Sequence, residues 1–198
     1  MFTIKRSTCL NTLDAYRLAK YLRGRGQSVT CLDEIFVRYA EPVPLDKSGY
    51  TVYMLKTTGP DDACIFLKDN RCTIQQAKPT ACRLYPFVAE PTPDGGCKFL
   101  LSMEQNHHFK GGQVQAGRWM KKYFSPEDRE FMRIDIGSAP VIALLMRKVP
   151  ALEQKRAIMQ YLWYRFSDFD LDRPLVEQYR QNTIKLVAAL KEMQEVST

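Results

Sequence analysis

The stretch CIFLKDNRCTIQQAKPTACRLYPF, residues 64–87, constrains the fold of this chain more than any other. It sets Cys64, Cys72 and Cys82 within nineteen residues of a 198-residue chain that has six cysteines in all, and it places Pro79 and Pro86 around the last of them. Proline fixes φ and removes a backbone donor, so neither a long helix nor a central strand can run through this segment. The stretch reads as short, loop-like pieces that curl back on themselves, and three thiols on such pieces are free to converge.

Those thiols could be core residues, disulfide partners, nucleophiles or ligands. No apolar run of eighteen residues or more is present, and the start, MFTIKRSTCLNTLDAYRLAKYL, lacks the apolar core and small-residue cleavage site of a signal peptide. The expectation is a cytoplasmic protein in a reducing compartment, which argues against stable disulfides. The spacing is C-x7-C-x9-C with Cys97 fourteen residues further on, and no C-x2-C pair occurs. Zinc-ribbon and zinc-finger hairpins are therefore not matched, and neither is a thioredoxin-type redox pair. Soft thiolate ligands suit zinc or an iron–sulfur centre. Cys9 and Cys31 sit where an apolar residue would also fit, and are expected in the core.

Hydrophobic residues make up 45% and charged residues 26%, the balance of a globular chain with a substantial core. The net charge of +7 is spread in blocks no longer than two or three, as in MKKYF, which reads as solvated surface rather than a nucleic-acid face. Helices are expected over 12–23, capped by Asn11 or Thr12, and over 31–39. The segment EPVPLDKSG reads as a loop and YTVYML, 50–55, as a strand. CKFLLS, 97–102, reads as a strand pairing with the Tyr50 strand or with residues near Val88. Beyond Gly112 the chain turns helical: QVQAGRWMKKYF, then SPEDREFMRI with Ser125 as N-cap, Pro126 at the first helical position and Asp128 three beyond the cap, then helices near 140–147, 151–166 and 174–195. Trp119, Trp163, Tyr161 and Tyr164 are expected on core-facing sides. The fold class is α+β, mostly α-helical, with a cysteine-bearing half, 1–110, packed on a helical half, 111–198, as one compact domain.

The 64–87 run resembles the signature of the YkgJ-type cysteine-cluster family, described as zinc- or iron-chelating and related to flagellin lysine N-methylases. Cys64, Phe66, Leu67, Cys72, Ile74, Pro79, Cys82, Arg83, Tyr85, Pro86 and Phe87 carry the match, with Lys78 where the family has Arg; LDAYRLAKYL, KFLLS and VQAGRWM flank it, so the likeness covers about residues 10–120. The resemblance implies that Cys64, Cys72 and Cys82 are ligands. The fourth ligand stays open between Cys97 and the adjacent pair His107 and His108, which fall near the position of a late family cysteine; Cys9 and Cys31 are further alternatives. Arg83, next to a ligand, would offset thiolate charge, grip an anionic substrate or cofactor, or form a structural salt bridge. An iron–sulfur cluster is preferred to zinc because the spacing is irregular. The family also implies an alternative activity, methyl transfer from S-adenosylmethionine to a protein lysine, although no Gly-rich strand–loop–helix text is present. Relatives carry a C-x2-C-C-like cluster ahead of the first helix where this chain has only Cys9, which leaves a metal-free scaffold as a third alternative.

Overall fold

The computed structural model describes residues 8–92, 97–102 and 115–195. Asn11 accepts a hydrogen bond from Asp14 N at 2.8 Å and starts α1, Thr12–Gly24, as a side-chain acceptor at the N-cap should. The helix ends where Leu22 O takes the N–H groups of Arg25 and Gln27 and Gly26 adopts φ +80°, a left-handed conformation in which glycine carries no Cβ penalty. Leu13, Ala15, Leu18, Ala19 and Leu22 line its buried face. α2, Leu32–Tyr39, buries Leu32, Ile35 and Phe36.

The segment expected as a loop after α2 is instead half strand. β1, Ala40–Pro44, pairs antiparallel with β2, Thr51–Leu55, in register Ala40↔Leu55 to Pro44↔Thr51. Its prolines are tolerated by spacing. Pro42 and Pro44 are two apart, so both missing N–H groups lie on the same edge, and Tyr53 O, opposite Pro42, bonds Leu10 N on its other side. Residues 8–10 run along that other side of β2, with Leu55 N on Thr8 O at 2.8 Å and Cys9 bridged to Met54.

The cysteine stretch is not featureless loop but two miniature hairpins and a helical turn. β3, Thr57–Thr58, pairs with β4, Ala63–Cys64. β5, Leu67–Lys68, pairs with β6, Arg71–Cys72, across Asp69-Asn70, both at positive φ, the conformation of a two-residue I′ turn. A 3₁₀ turn, Gln75–Ala77, leads to the five-residue α3, Thr80–Leu84. β7, Phe87–Pro91, pairs with β8, Cys97–Leu101, with Val88 opposite Leu100, the second of the two pairings expected.

α4, Ala116–Tyr123, is followed by α5, Pro126–Lys148, one 23-residue helix where two were expected. Its start is a capping box: Ser125 Oγ accepts from Asp128 N, and the Asp128 carboxylate accepts from Ser125 N at 2.8 Å. Pro140 lies inside it. A proline normally ends a helix one residue earlier, but Gly137-Ser138-Ala139 ahead of it are small, and Phe131, Ile142, Leu145 and Met146 are buried on both sides of the interruption. Packing against α7, Leu175–Glu195, holds the two halves in line. Between them, a 3₁₀ turn at Ala151–Glu153 opens α6, Gln154–Leu162. The chain then widens into one π-turn, Trp163–Ser167, closed by Asp168 N on Trp163 O at 2.9 Å.

That widened turn re-aims the side chains. Arg165 and Phe166 go inward, while Trp163, expected in the core, is 49% exposed. Trp119 is half-buried and donates its indole N–H to Leu84 O at 3.1 Å; Tyr161 is buried and Tyr164 half-buried. The core runs from Leu10 through Leu32, Phe131, Tyr161 and Tyr179 to Met193, so both halves share it. No helix among the described residues is long and apolar enough to cross a membrane.

Candidate metal centre

Cys64 closes β4, Cys72 closes β6 and Cys82 sits in α3. All three are half-buried free thiols, and Cys64 and Cys72 lie against the core. Cys82 Sγ is 3.7 Å from Thr8 Oγ1. Its thiol is raised above the ordinary cysteine value, first by burial, and then by the nearby Cys64, Asp14 and Cys72, against the lowering effect of Thr8. The three sequence-predicted thiols therefore share one region, near enough for each to be felt at Cys82. They do not close on a point: among the described residues no group of three or more His, Cys, Asp or Glu side chains is gathered tightly enough to hold an ion.

What fixes α3 in place lies behind the cysteines. Asp14 of α1, buried at 2% exposure, accepts Thr80 N at 2.8 Å and Thr80 Oγ1 at 2.7 Å. Arg83 donates from Nη2 to Thr80 Oγ1 and to Asp128 Oδ1, both at 2.9 Å, from Nη1 to Tyr123 O at 3.0 Å and from Nε to Lys78 O at 3.0 Å. Arg17 donates to Asp128 Oδ1 and Glu127 Oε2, each at 2.5 Å. Of the roles expected for Arg83, the salt bridge is the one these contacts describe, and each of its three nitrogens is engaged.

The two carboxylates of this lock titrate in opposite directions. Burial raises Asp14 to about 6, although Thr80, Arg83 and Arg17 all pull it down. Burial also works to raise Asp128, but the hydrogen bonds from Arg83, Ser125 and Arg17 outweigh it and hold the group at about 2. The second oxygen of Asp14, Oδ2, is buried with no hydrogen-bond partner among the described residues.

Cys97 opens β8 opposite Pro91, and His107 and His108 lie outside the described residues. Cys9 and Cys31 are not core residues as expected: Cys31 is half-buried at the N-cap of α2, and Cys9 is exposed. For Cys9 exposure and chemistry pull apart, since burial, with Asp135 and Asp14, pushes its thiol up to about 12. From the sequence Asp128 has only its place in the cap of α5, and nothing there marks Asp14, Arg17 and Thr80 as its partners. The available signal was an acid in the apolar face of α1, where Leu13 and Ala15 flank it.

The chain matches no family model, no curated protein and no solved structure. Every sheet among the described residues is a two-stranded antiparallel ladder, so the parallel sheet of a dinucleotide-type fold is not among them.

Proposed function

We propose that Cys64, Cys72 and Cys82 form a cysteine-ligated metal centre, with an iron–sulfur cluster preferred to zinc, in a protein of the YkgJ-like cysteine-cluster type. The observation that carries the reading is the grouping of three free, half-buried thiols around Cys82, where the charges of Cys64 and Cys72 are felt. The donor chemistry fits a soft cation. The orphaned Oδ2 of Asp14 adds a buried negative charge whose effect reaches Cys82. The lock of Asp14, Thr80, Arg83 and Asp128 fixes the backbone that carries Cys82 while the two hairpins bring Cys64 and Cys72. The fourth position belongs to Cys97, His107 or His108 on this reading. A cytoplasmic, reducing setting goes with it, in keeping with the free thiols of Cys9, Cys31, Cys64, Cys72 and Cys82.

Loading requires each thiol to lose its proton. With Cys82 raised, affinity falls steadily as pH drops, and a competition titration with a chelator across neutral pH measures that slope. The deciding experiment is anaerobic purification with an absorption spectrum and elemental analysis of the full chain and of Cys82→Ser. Broad visible absorbance with several irons per chain, lost in the variant, supports a cluster; stoichiometric zinc without colour, also lost, supports a zinc centre. A folded, metal-free protein indifferent to the substitution overturns the reading.

A further inference from the structure

One face of α6 is left uncovered by the described residues. Ala157, Ile158 and Tyr161 turn into the core, and the opposite side carries Leu152, Met159 and Trp163, 97%, 60% and 49% exposed. Their spacing of seven and then four residues is that of a single helical face, a line about 16 Å long at 1.5 Å per residue. Lys155 and Arg156 are exposed between them. Further cations gather at the Leu152 end. Lys148 is the last residue of α5, and the turn that carries Lys47 is tied there by Gln154 Nε2 on Ser48 O at 2.6 Å and by the Arg147–Asp46 salt bridge at 2.7 Å. Lys47, Lys148 and Lys155 are exposed and have no salt bridge among the described residues, whereas Asp46 and Glu153 beside them are each taken by an arginine. The unpaired charge around this face is positive.

We propose that this face docks the protein on an anionic lipid surface. Leu152, Met159 and Trp163 enter the boundary between headgroups and acyl chains, and Lys47, Lys148 and Lys155 meet the acidic headgroups. A helix that sets an apolar line with a tryptophan among basic residues has the character of an interfacial helix. An indole, apolar with one polar N–H, suits that boundary. The π-turn completes the line, turning Arg165 and Phe166 inward and leaving Trp163 out. The same features speak against a folded protein as the occupant. A stable protein interface buries about 800 Å² per partner, and its centre is depleted of lysine. Here the apolar line is one side chain wide, with Lys155 and Arg156 set within it. Lipid is fluid and conforms to a narrow ridge, while lysine stems lie along it and keep their charged ends among the headgroups. Nothing in this surface depends on the cysteine centre or on a metal.

The test sediments the full chain with vesicles of phosphatidylcholine alone and of phosphatidylcholine mixed with phosphatidylserine. The chain should bind the mixed vesicles, more weakly as salt is raised, and its tryptophan emission should shift to the blue, a shift absent from Trp163→Phe. Lys148→Gln with Lys155→Gln should weaken binding about thirtyfold, at about fivefold per lysine beside an anionic surface. The same charge removed from α4, as Lys121→Gln with Lys122→Gln, should weaken it much less. Met159→Ser should weaken it about tenfold through lost apolar burial. All these positions are exposed, so the variants keep the fold. Absence of binding to the mixed vesicles, equal binding to phosphatidylcholine alone, or an equal loss from the α4 pair overturns the proposal. So does binding indifferent to Met159→Ser, which shows charge attraction alone. A concentration-dependent dimer that Met159→Ser disperses overturns it too, and gives the face to a second copy of the chain.

Discussion

Asp128 and Asp135 stand two turns apart on one face of α5, and each pairs with arginine, half-buried Arg17 and Arg83 at the first and buried Arg165 at the second, yet the two sites are finished differently. At Asp128 every group is used: Oδ1 takes Arg17 and Arg83, Oδ2 takes the N–H and hydroxyl of Ser125, and Arg83 spends its remaining donors on backbone carbonyls. At Asp135 the arginine, Arg165, leaves its Nε without a hydrogen-bond partner among the described residues. A fully satisfied buried network fixes geometry and has nothing to offer a ligand, while an incomplete one is costly unless something completes it. The difference separates a completed clamp from an incomplete one, although both join an arginine to an aspartate on the same helix.

The comparison breaks first at Asp128. Asp128→Ala leaves Arg17 and Arg83 facing each other without their shared acceptor, and should cost about 3–5 kcal/mol in urea denaturation, the usual range for breaking a buried ion pair by removing one partner. Next comes Asp14. Its folded value of about 6 lies above its unfolded one of 3.8, so its contribution is fully present below about pH 4 and is lost as pH rises through 6. The loss is about 3 kcal/mol. Other carboxylates slope the opposite way, so the measurement is the difference between wild type and Asp14→Asn from pH 4 to 7; a difference independent of pH contradicts the assignment. Asp128, held at about 2, should contribute its own stability across that whole range and lose it only in stronger acid.

Asp135→Ala should cost less than Asp128→Ala, about 2 kcal/mol, because Asp135 is one-third exposed and water can reach the space it leaves. A reversal of that order would erase the distinction between the two sites. The smallest effect is Ser125→Ala, about 1 kcal/mol for a lost N-cap. Since Arg17 and Arg83 still hold Asp128, it should leave the position of α3, and any metal retention by the proposed cysteine centre, only slightly changed.

The sequence made the helices legible where a cap and an apolar period agreed, as at Asn11 with α1 and Ser125 with α5. It misled where tertiary packing overruled a local signal. Pro140 marks a stop, yet buried side chains on both sides carry the helix through it; Pro42 and Pro44 mark a loop, yet their spacing suits one outward edge of β1. Trp163 was misplaced because a π-turn breaks the period from which its face was inferred. That Cys64, Cys72 and Cys82 share one region was readable from their spacing on short, turn-punctuated pieces. The clamp behind them was not, because Asp14, Thr80, Arg83 and Asp128 belong to three elements and only the fold brings them together.

That dispersal orders events during synthesis. A nascent chain that ends before Ser125 already carries Cys64, Cys72 and Cys82 but lacks Asp128, the acceptor that ties Arg17 to Arg83. Since translation proceeds from the N-terminus at about 5–20 residues per second, there is an interval of seconds in which the thiols have emerged and their support has not. The cysteines are most accessible in that interval, and a nascent chain stalled so that Cys82 has cleared the ribosome while Asp128 has not should react with a thiol reagent faster than the finished protein, where the three are half-buried.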